Sequence, residues 1–155
     1  MKKILITIAA VTILAGCTTF ETVSRQSPEA EEILAFNSPS DGAALYVYRD
    51  RKSSYGGVEM ILDIDEKEIS LAGSCLKRVE LTPGTYHLNA NHPDVLGGEQ
   101  EVDVTLSPGD VKVLEFKPIF RPIIPGESKL IARTVEELQS LVDSQSLCVL
   151  ATTKL

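Results

Sequence analysis

Three groups of residues have types and spacings that can do chemistry. His87, His92 and Asp94 form a His-x4-His-x-Asp cluster whose imidazoles and carboxylate suit weak zinc or nickel binding. Three cysteines, Cys17, Cys75 and Cys148, offer thiols for acylation, disulfide formation or metal ligation. Asp63, Asp65, Glu66 and Glu68 crowd four carboxylates together, but without the glycine and ligand spacing of a calcium loop. Each group falls short of a full site. His87 lies in a strand-like stretch and His92 just before Pro93, whereas metal sites gather three or four convergent ligands. No serine sits in a Gly-x-Ser-x-Gly turn, and with two histidines in the chain a Ser-His-Asp hydrolase has little to draw on. Gly56-Gly57 and Gly97-Gly98 lack the rest of a phosphate-cradling loop. The expectation is a protein that is not an enzyme and carries no cofactor.

Cys17 closes a patterned leader. Met1-Lys2-Lys3 is basic, Ile4 to Leu14 is an apolar run, and Ala15-Gly16 places small residues before the thiol. That is the pattern of a secretory signal peptide over residues 1–16. The run falls short of the roughly 20 residues that cross a bilayer as a helix. Cleavage would remove 16 of the 155 residues and leave 139, enough for one small domain. Losing Lys2 and Lys3 moves the formal net charge from −7 to −9. So acidic a domain gains nothing from a phosphate backbone, which excludes nucleic acid as an expected partner. Trp is absent, and four Tyr with four Phe are too few for the stacking platforms of sugar or single-strand binders.

Leu14-Ala15-Gly16-Cys17 resembles a lipobox, the recognition site of bacterial lipoprotein processing. The resemblance implies diacylglycerol on the Cys17 thiol, cleavage after Gly16, and acylation of the new amine. At about 0.8 kcal/mol per buried methylene, one acyl chain holds weakly while two or three hold durably. Thr18 rather than Asp follows the cysteine, which by the enteric sorting rule favours the outer membrane, facing the periplasm. In that oxidising space Cys75 and Cys148 remain as an even pair. A bond between them closes a loop of about 74 residues, with a chain-entropy benefit of roughly 4 kcal/mol. The alternative is two reduced thiols packed as small apolar groups.

The elements that must position these residues follow from period and turn chemistry. Residues 18–26 are polar and patternless and read as a tether. Ser27-Pro28-Glu29 has helix-start chemistry, with a cap, a first-turn proline and an acid at the positive dipole end. From Ala43 the period becomes two, and Ala44 to Arg49 is a strong strand. Strands follow over Val58–Ile64, Glu68–Leu71, Leu76–Glu80, Tyr86–Ala90, Glu101–Thr105, Val111–Phe116 and Lys129–Arg133. Leu81-Thr82-Pro83-Gly84-Thr85 and Leu106-Ser107-Pro108-Gly109-Asp110 look like type II turns joining antiparallel neighbours. Thr134-Val135-Glu136-Glu137 fits a capping box for a last helix, after which Ser146 to Leu150 can bring Cys148 towards Cys75.

The expected fold is mainly β, an antiparallel β-sandwich of about seven strands with a short N-terminal helix and a C-terminal helix. Residues 17–42 form the lipidated tether and short helix, and 43–155 the sandwich. The strand Tyr46-Val47-Tyr48-Arg49, the turn Asp65-Glu66-Lys67 and the run Pro83-Gly84-Thr85-Tyr86-His87-Leu88 together resemble a family of bacterial lipoprotein domains of unknown function. Their order is also similar to that of PEGA-type surface domains, β-sandwiches of prealbumin-like topology. The resemblance covers residues 43–117 and implies a fold and an envelope location, but no catalytic residue. Asp65-Glu66 departs from the family's Asp-Gly, which puts a tight glycine turn in doubt.

Two surfaces stand out for partners. Arg49, Arg51 and Lys52 form the densest basic patch, suited to an anionic lipid, glycan or protein, or else balancing Asp50. Ile119, Phe120 and Ile123 lie in an apolar, proline-broken loop that is either an interface or a lid on the core. The functional expectation is a lipid-anchored envelope protein that binds an envelope protein or glycan or adds structure there. The alternative is a small-ligand or metal-binding lipoprotein using His87, His92 and the space between the sheets.

Overall fold

The computed structural model describes residues 20–94 and 96–155, so the leader and Cys17 lie outside the described residues. In chain order the elements are β1 (Thr22–Val23), α1 (Pro28–Leu34), β2 (Ala43–Tyr48), β3 (Met60–Ile64), β4 (Lys67–Leu71) and β5 (Cys75–Leu81). Then come β6 (Gly84–Ala90), β7 (Gln100–Leu106), β8 (Val111–Ile119), β9 (Glu127–Arg133), α2 (Val135–Gln145) and β10 (Cys148–Lys154). They form a six-stranded sheet, β1-β10-β5-β2-β8-β9, and a four-stranded sheet, β4-β3-β6-β7. The fold is a mainly β sandwich with two helices.

β2 shows how the layers are built. All six of its residues are buried, because the sheet is covered on both faces. Ala43, Leu45 and Val47 meet Leu62, Leu88 and Phe116 between the sheets. Ala44, Tyr46 and Tyr48 face a second core with Ile33, Phe36, Leu138 and Val142 from the helices. Tyr46 donates to the Ile33 carbonyl at 2.9 Å, and burial pushes its phenol up to about 12. Both helices start as the sequence suggests. Ser27 accepts from the Ala30 amide, and Thr134 and Glu137 form a reciprocal capping box.

The structure departs from expectation in three places. The first is the N-terminal segment, which does not stand apart from the sandwich. β1 pairs with β10, and Arg25 donates to the carbonyls of Val142 and Leu147. Arg78, buried in the sheet, reaches Glu32 and the Asn37 carbonyl and fastens α1 in place. The tether reading for 18–26 therefore fails from Glu21 onward, because two residues of strand are too few to show a period.

The second departure is connectivity. β5 and β6 belong to different sheets, as do β7 and β8, so the Pro-Gly turns are corners between layers and not hairpins. Alternation reports which face a residue takes, not which strand it pairs with. Only the second corner has the glycine in the left-handed region (Gly109, φ 87°), closed by the Asp110 amide donating to the Ser107 carbonyl. Two pairings, β2 with β8 and β5 with β10, are parallel.

The third concerns the β3–β4 turn. Ile64 pairs with Lys67 around a two-residue turn in which Asp65 (φ 46°) and Glu66 (φ 67°) both have positive φ. This geometry favours Asn-Gly or Asp-Gly. It forms without glycine because Asp65 accepts from the His87 amide at 2.8 Å. Glu66 has no such side-chain bond among the described residues. Glu66→Gly should therefore raise stability by about 1 kcal/mol, read as a higher urea midpoint at unchanged m-value.

Candidate functional site

The ends of β2, β6 and β8 and the starts of β3, β7 and β9 lie at one pole of the sandwich, by their pairing registers. The loops there are 49–59, 91–99 and 120–126, and they are tied to one another. Tyr55 donates to Asp94 Oδ2 at 2.6 Å, and its ring meets those of His92 and Phe120 edge-on at 5.3 and 6.0 Å. The bond to Asp94 holds the Tyr55 phenol above its ordinary pKa. Gly98 and Gly126 are joined by a backbone hydrogen bond of 2.8 Å, and Ser128 Oγ donates to the Asn91 carbonyl.

Arg49 organises the first of these loops, and here the surface reading is corrected. Its side chain is fully buried, and its guanidinium donates to the carbonyls of Val58 (2.6 Å), Tyr55 (2.8 Å), Ser54 (3.3 Å) and Leu71 (3.5 Å). No carboxylate accompanies it, and desolvation pulls its pKa down to about 10, still cationic at neutral pH. Arg49 is unavailable to a partner. Arg51 and Lys52 are exposed and make no ion pair among the described residues, so two charges remain of the expected patch.

The apolar loop is the part of the expected site that lies open. Ile119 ends β8 half-buried opposite Glu127, but Phe120 is 59 % and Ile123 93 % exposed. Val58, Leu96 and Ile124 are exposed on the same pole. Five large apolar side chains, from the three loops at this pole, are therefore exposed. Val58 and Leu96 carried a faint signal, each an apolar residue beside turn-forming neighbours. The 120–126 loop is not a lid on the core.

The histidines do not make a metal centre. His87 stands on the outer face of β6, with Nδ1 2.9 Å from Asp103 Oδ1 and Nε2 3.8 Å from Glu101. His92 is buried under the loops, where Nδ1 accepts from the Asp94 amide at 3.1 Å and Nε2 has no partner. A Cβ at Gly97 or Gly126 would collide with its ring, which explains small residues at both positions. The Asp94 carboxylate is engaged by Tyr55. Among the described residues no group of three or more His, Cys, Asp or Glu side chains is arranged to hold a metal.

His87 still has a measurable signature. Its bond to Asp103 raises its pKa, so folding favours the imidazolium. The small stabilisation that follows is fully present below the unfolded value near 6.5 and fades as pH rises through the folded value. In an NMR titration His87 should protonate above pH 6.5, and Asp103→Asn should move it back down.

Cys75 and Cys148 are opposite one another in the parallel β5–β10 register, with Cα atoms 4.4 Å apart, and are joined as a disulfide. An open cleft of about 420 Å³ lies between the sheets at the β7 and β9 edges, lined by Val102, Val104, Leu114 and Leu130 among others.

No family model and no curated protein matches this chain.

What the pole can do chemically follows from its residue types. It presents apolar side chains on a braced frame, with Arg51 and Lys52 nearby and no nucleophile paired to a base.

Proposed function

We propose that this protein is a lipid-anchored cell-envelope protein with a non-enzymatic binding or structural role, held to the outer membrane through Cys17 and facing the periplasm. The observation that carries the reading is the complete Lys2-Lys3, Ile4–Leu14, Leu14-Ala15-Gly16-Cys17 leader placed just ahead of a disulfide-bonded sandwich. A disulfide of this kind belongs to an oxidising compartment, where a lipoprotein leader would deliver the chain. The kinship to PEGA-like lipoprotein domains stays part of the proposal, supported by the sandwich and by the β3–β4 turn. The partner is an envelope protein or glycan, met at the pole where Phe120, Ile123, Ile124, Val58 and Leu96 face outward. Exposed apolar groups clustered on a rigid frame are the usual mark of an interface.

Cell fractionation of a Cys17→Ser variant tests the anchor. The native chain should partition with membranes and the variant should leave them; a variant that stays membrane-bound contradicts the reading. A second reading, an apolar small ligand in the β7/β9 cleft, rests on a volume within the range of roughly 300–1,000 Å³ typical of ligand sites. Delipidated protein showing no bound apolar molecule by native mass spectrometry, and none after incubation with fatty acid, would remove it.

A further inference from the structure

The fold begins almost at the proposed lipid. Glu21 already accepts from the Ala151 amide at 2.9 Å, Thr22 and Val23 pair with Leu150 and Val149, and Arg25 grips two carbonyls beyond them. Between Cys17 and Phe20 there are three residue steps, which span at most about 11 Å however the chain runs. A domain on so short a leash cannot stand off in the periplasm. The side of the sandwich that holds Phe20 must lie close to the lipid.

That side is defined by the topology. β1 is one edge of the six-stranded sheet and β9 the other, so the 120–126 loop lies across the sheet, about 20 Å or more from β1 at roughly 4.8 Å per strand. Phe20 is also displaced along the strands, because Glu21 meets Ala151, three residues into β10 from the pole that carries the apolar loop. Were that pole placed on the bilayer, Phe20 would stand roughly 20 Å above the surface, counting those residues and the reach of the loop at about 3.3 Å each. The leash is about half that.

We infer that the edge formed by β1, β10 and β4 is the membrane-apposed surface, facing lipid headgroups, and that the apolar pole is turned away from the bilayer. The edge has a shallow hollow lined by Phe20, Glu21, Glu68, Ile69, Lys77 and Leu155. Phe20 supplies an apolar ring of the kind that can enter the headgroup–acyl boundary. Glu21 and Glu68 are unsuited to a bare anionic surface, so the contact fits zwitterionic headgroups. The inference rests on the anchor reading above and adds an orientation to it. It also narrows the partner of the pole to one whose binding segment lies within about one domain's width of the same membrane.

The test uses full-length protein matured in cells and recovered with its lipid. Glu68→Cys and Ile123→Cys versions each carry one fluorophore, both positions being exposed and Cys75 and Cys148 already tied. Each is placed in phosphatidylcholine vesicles containing lipid spin-labelled at the headgroup. Quenching should be several-fold stronger at position 68 than at 123. A spacer of about 20 Gly and Ser residues inserted before Phe20, spanning roughly 25 Å, should abolish most of the difference. Equal quenching, stronger quenching at 123, or indifference to the spacer overturns the orientation. Mature protein that carries no acyl chain by mass instead defeats the anchor reading on which the orientation depends.

Discussion

Removing the Cys75–Cys148 bond, by reduction or by Cys75→Ala with Cys148→Ala, is expected to lower the unfolding free energy by roughly 4 kcal/mol. The two cysteines are 73 positions apart, so the cross-link withholds a large share of the unfolded chain's freedom. The loss is a large fraction of the 5–15 kcal/mol of a typical domain, about one of this size. It should also be localised. β10 is bound to the rest of the sheet through β5 alone, since β1 offers it two residues and a register break lies between Leu150 and Thr153. Amides of β1 and β10 should therefore exchange first when the bond is absent, while β2 and β8 stay protected. Comparing the reduced native chain with the double alanine variant separates the cross-link from the small cavity at Cys75, which is 4 % exposed. Uniform loss of protection across both sheets would refute the localised account.

Arg49→Met should cost roughly 3 kcal/mol, although both side chains are long and flexible. Methionine fills much of the volume but donates nothing, so the buried Leu71 carbonyl and the part-buried carbonyls of Val58, Tyr55 and Ser54 lose their shared donor. The consequence reaches the proposed binding pole. Tyr55 leaves its place against His92 and Phe120 once the 51–58 loop loosens, and the apolar loop loses a brace. Arg49→Lys should recover little, because an ammonium cannot reach carbonyls spread along a loop as a planar fork does. Urea titrations give the stability, and near-ultraviolet dichroism of Tyr55 reports the loop. A variant as stable as the native protein would show that Arg49 is a bystander.

The elements with strong local signals were legible from residues alone. β2, the Thr134 capping box and the Ser27-Pro28 helix start each follow from side-chain chemistry within a few positions. The sandwich followed from the number of alternating segments. The route of the chain did not, because the Pro83-Gly84 and Pro108-Gly109 turns look the same whether the next strand pairs or changes sheet. The cysteine spacing leaves two states open, and the β5–β10 register, which sets Cys75 opposite Cys148 as a disulfide, decides between them. Arg49 shows where a local pattern misleads. A strand-end arginine beside Asp50, Arg51 and Lys52 looks like surface, since burying a cation calls for compensation. Here the compensation is four carbonyls, three of them supplied by the following loop once it closes, a tertiary arrangement no local pattern announces. In the candidate site, Phe120 and Ile123 were legible as apolar residues among prolines, whereas Val58 and Leu96 join them only through the folding of separate loops.

The anchor can be tested most directly by the mass of the N-terminal peptide of protein extracted from cell membranes. The account predicts a peptide beginning at Cys17 and heavier than its residues by a diacylglyceryl group and a further acyl chain. A peptide that retains residues 1–16, or one that begins at Cys17 or beyond without added lipid, would contradict it.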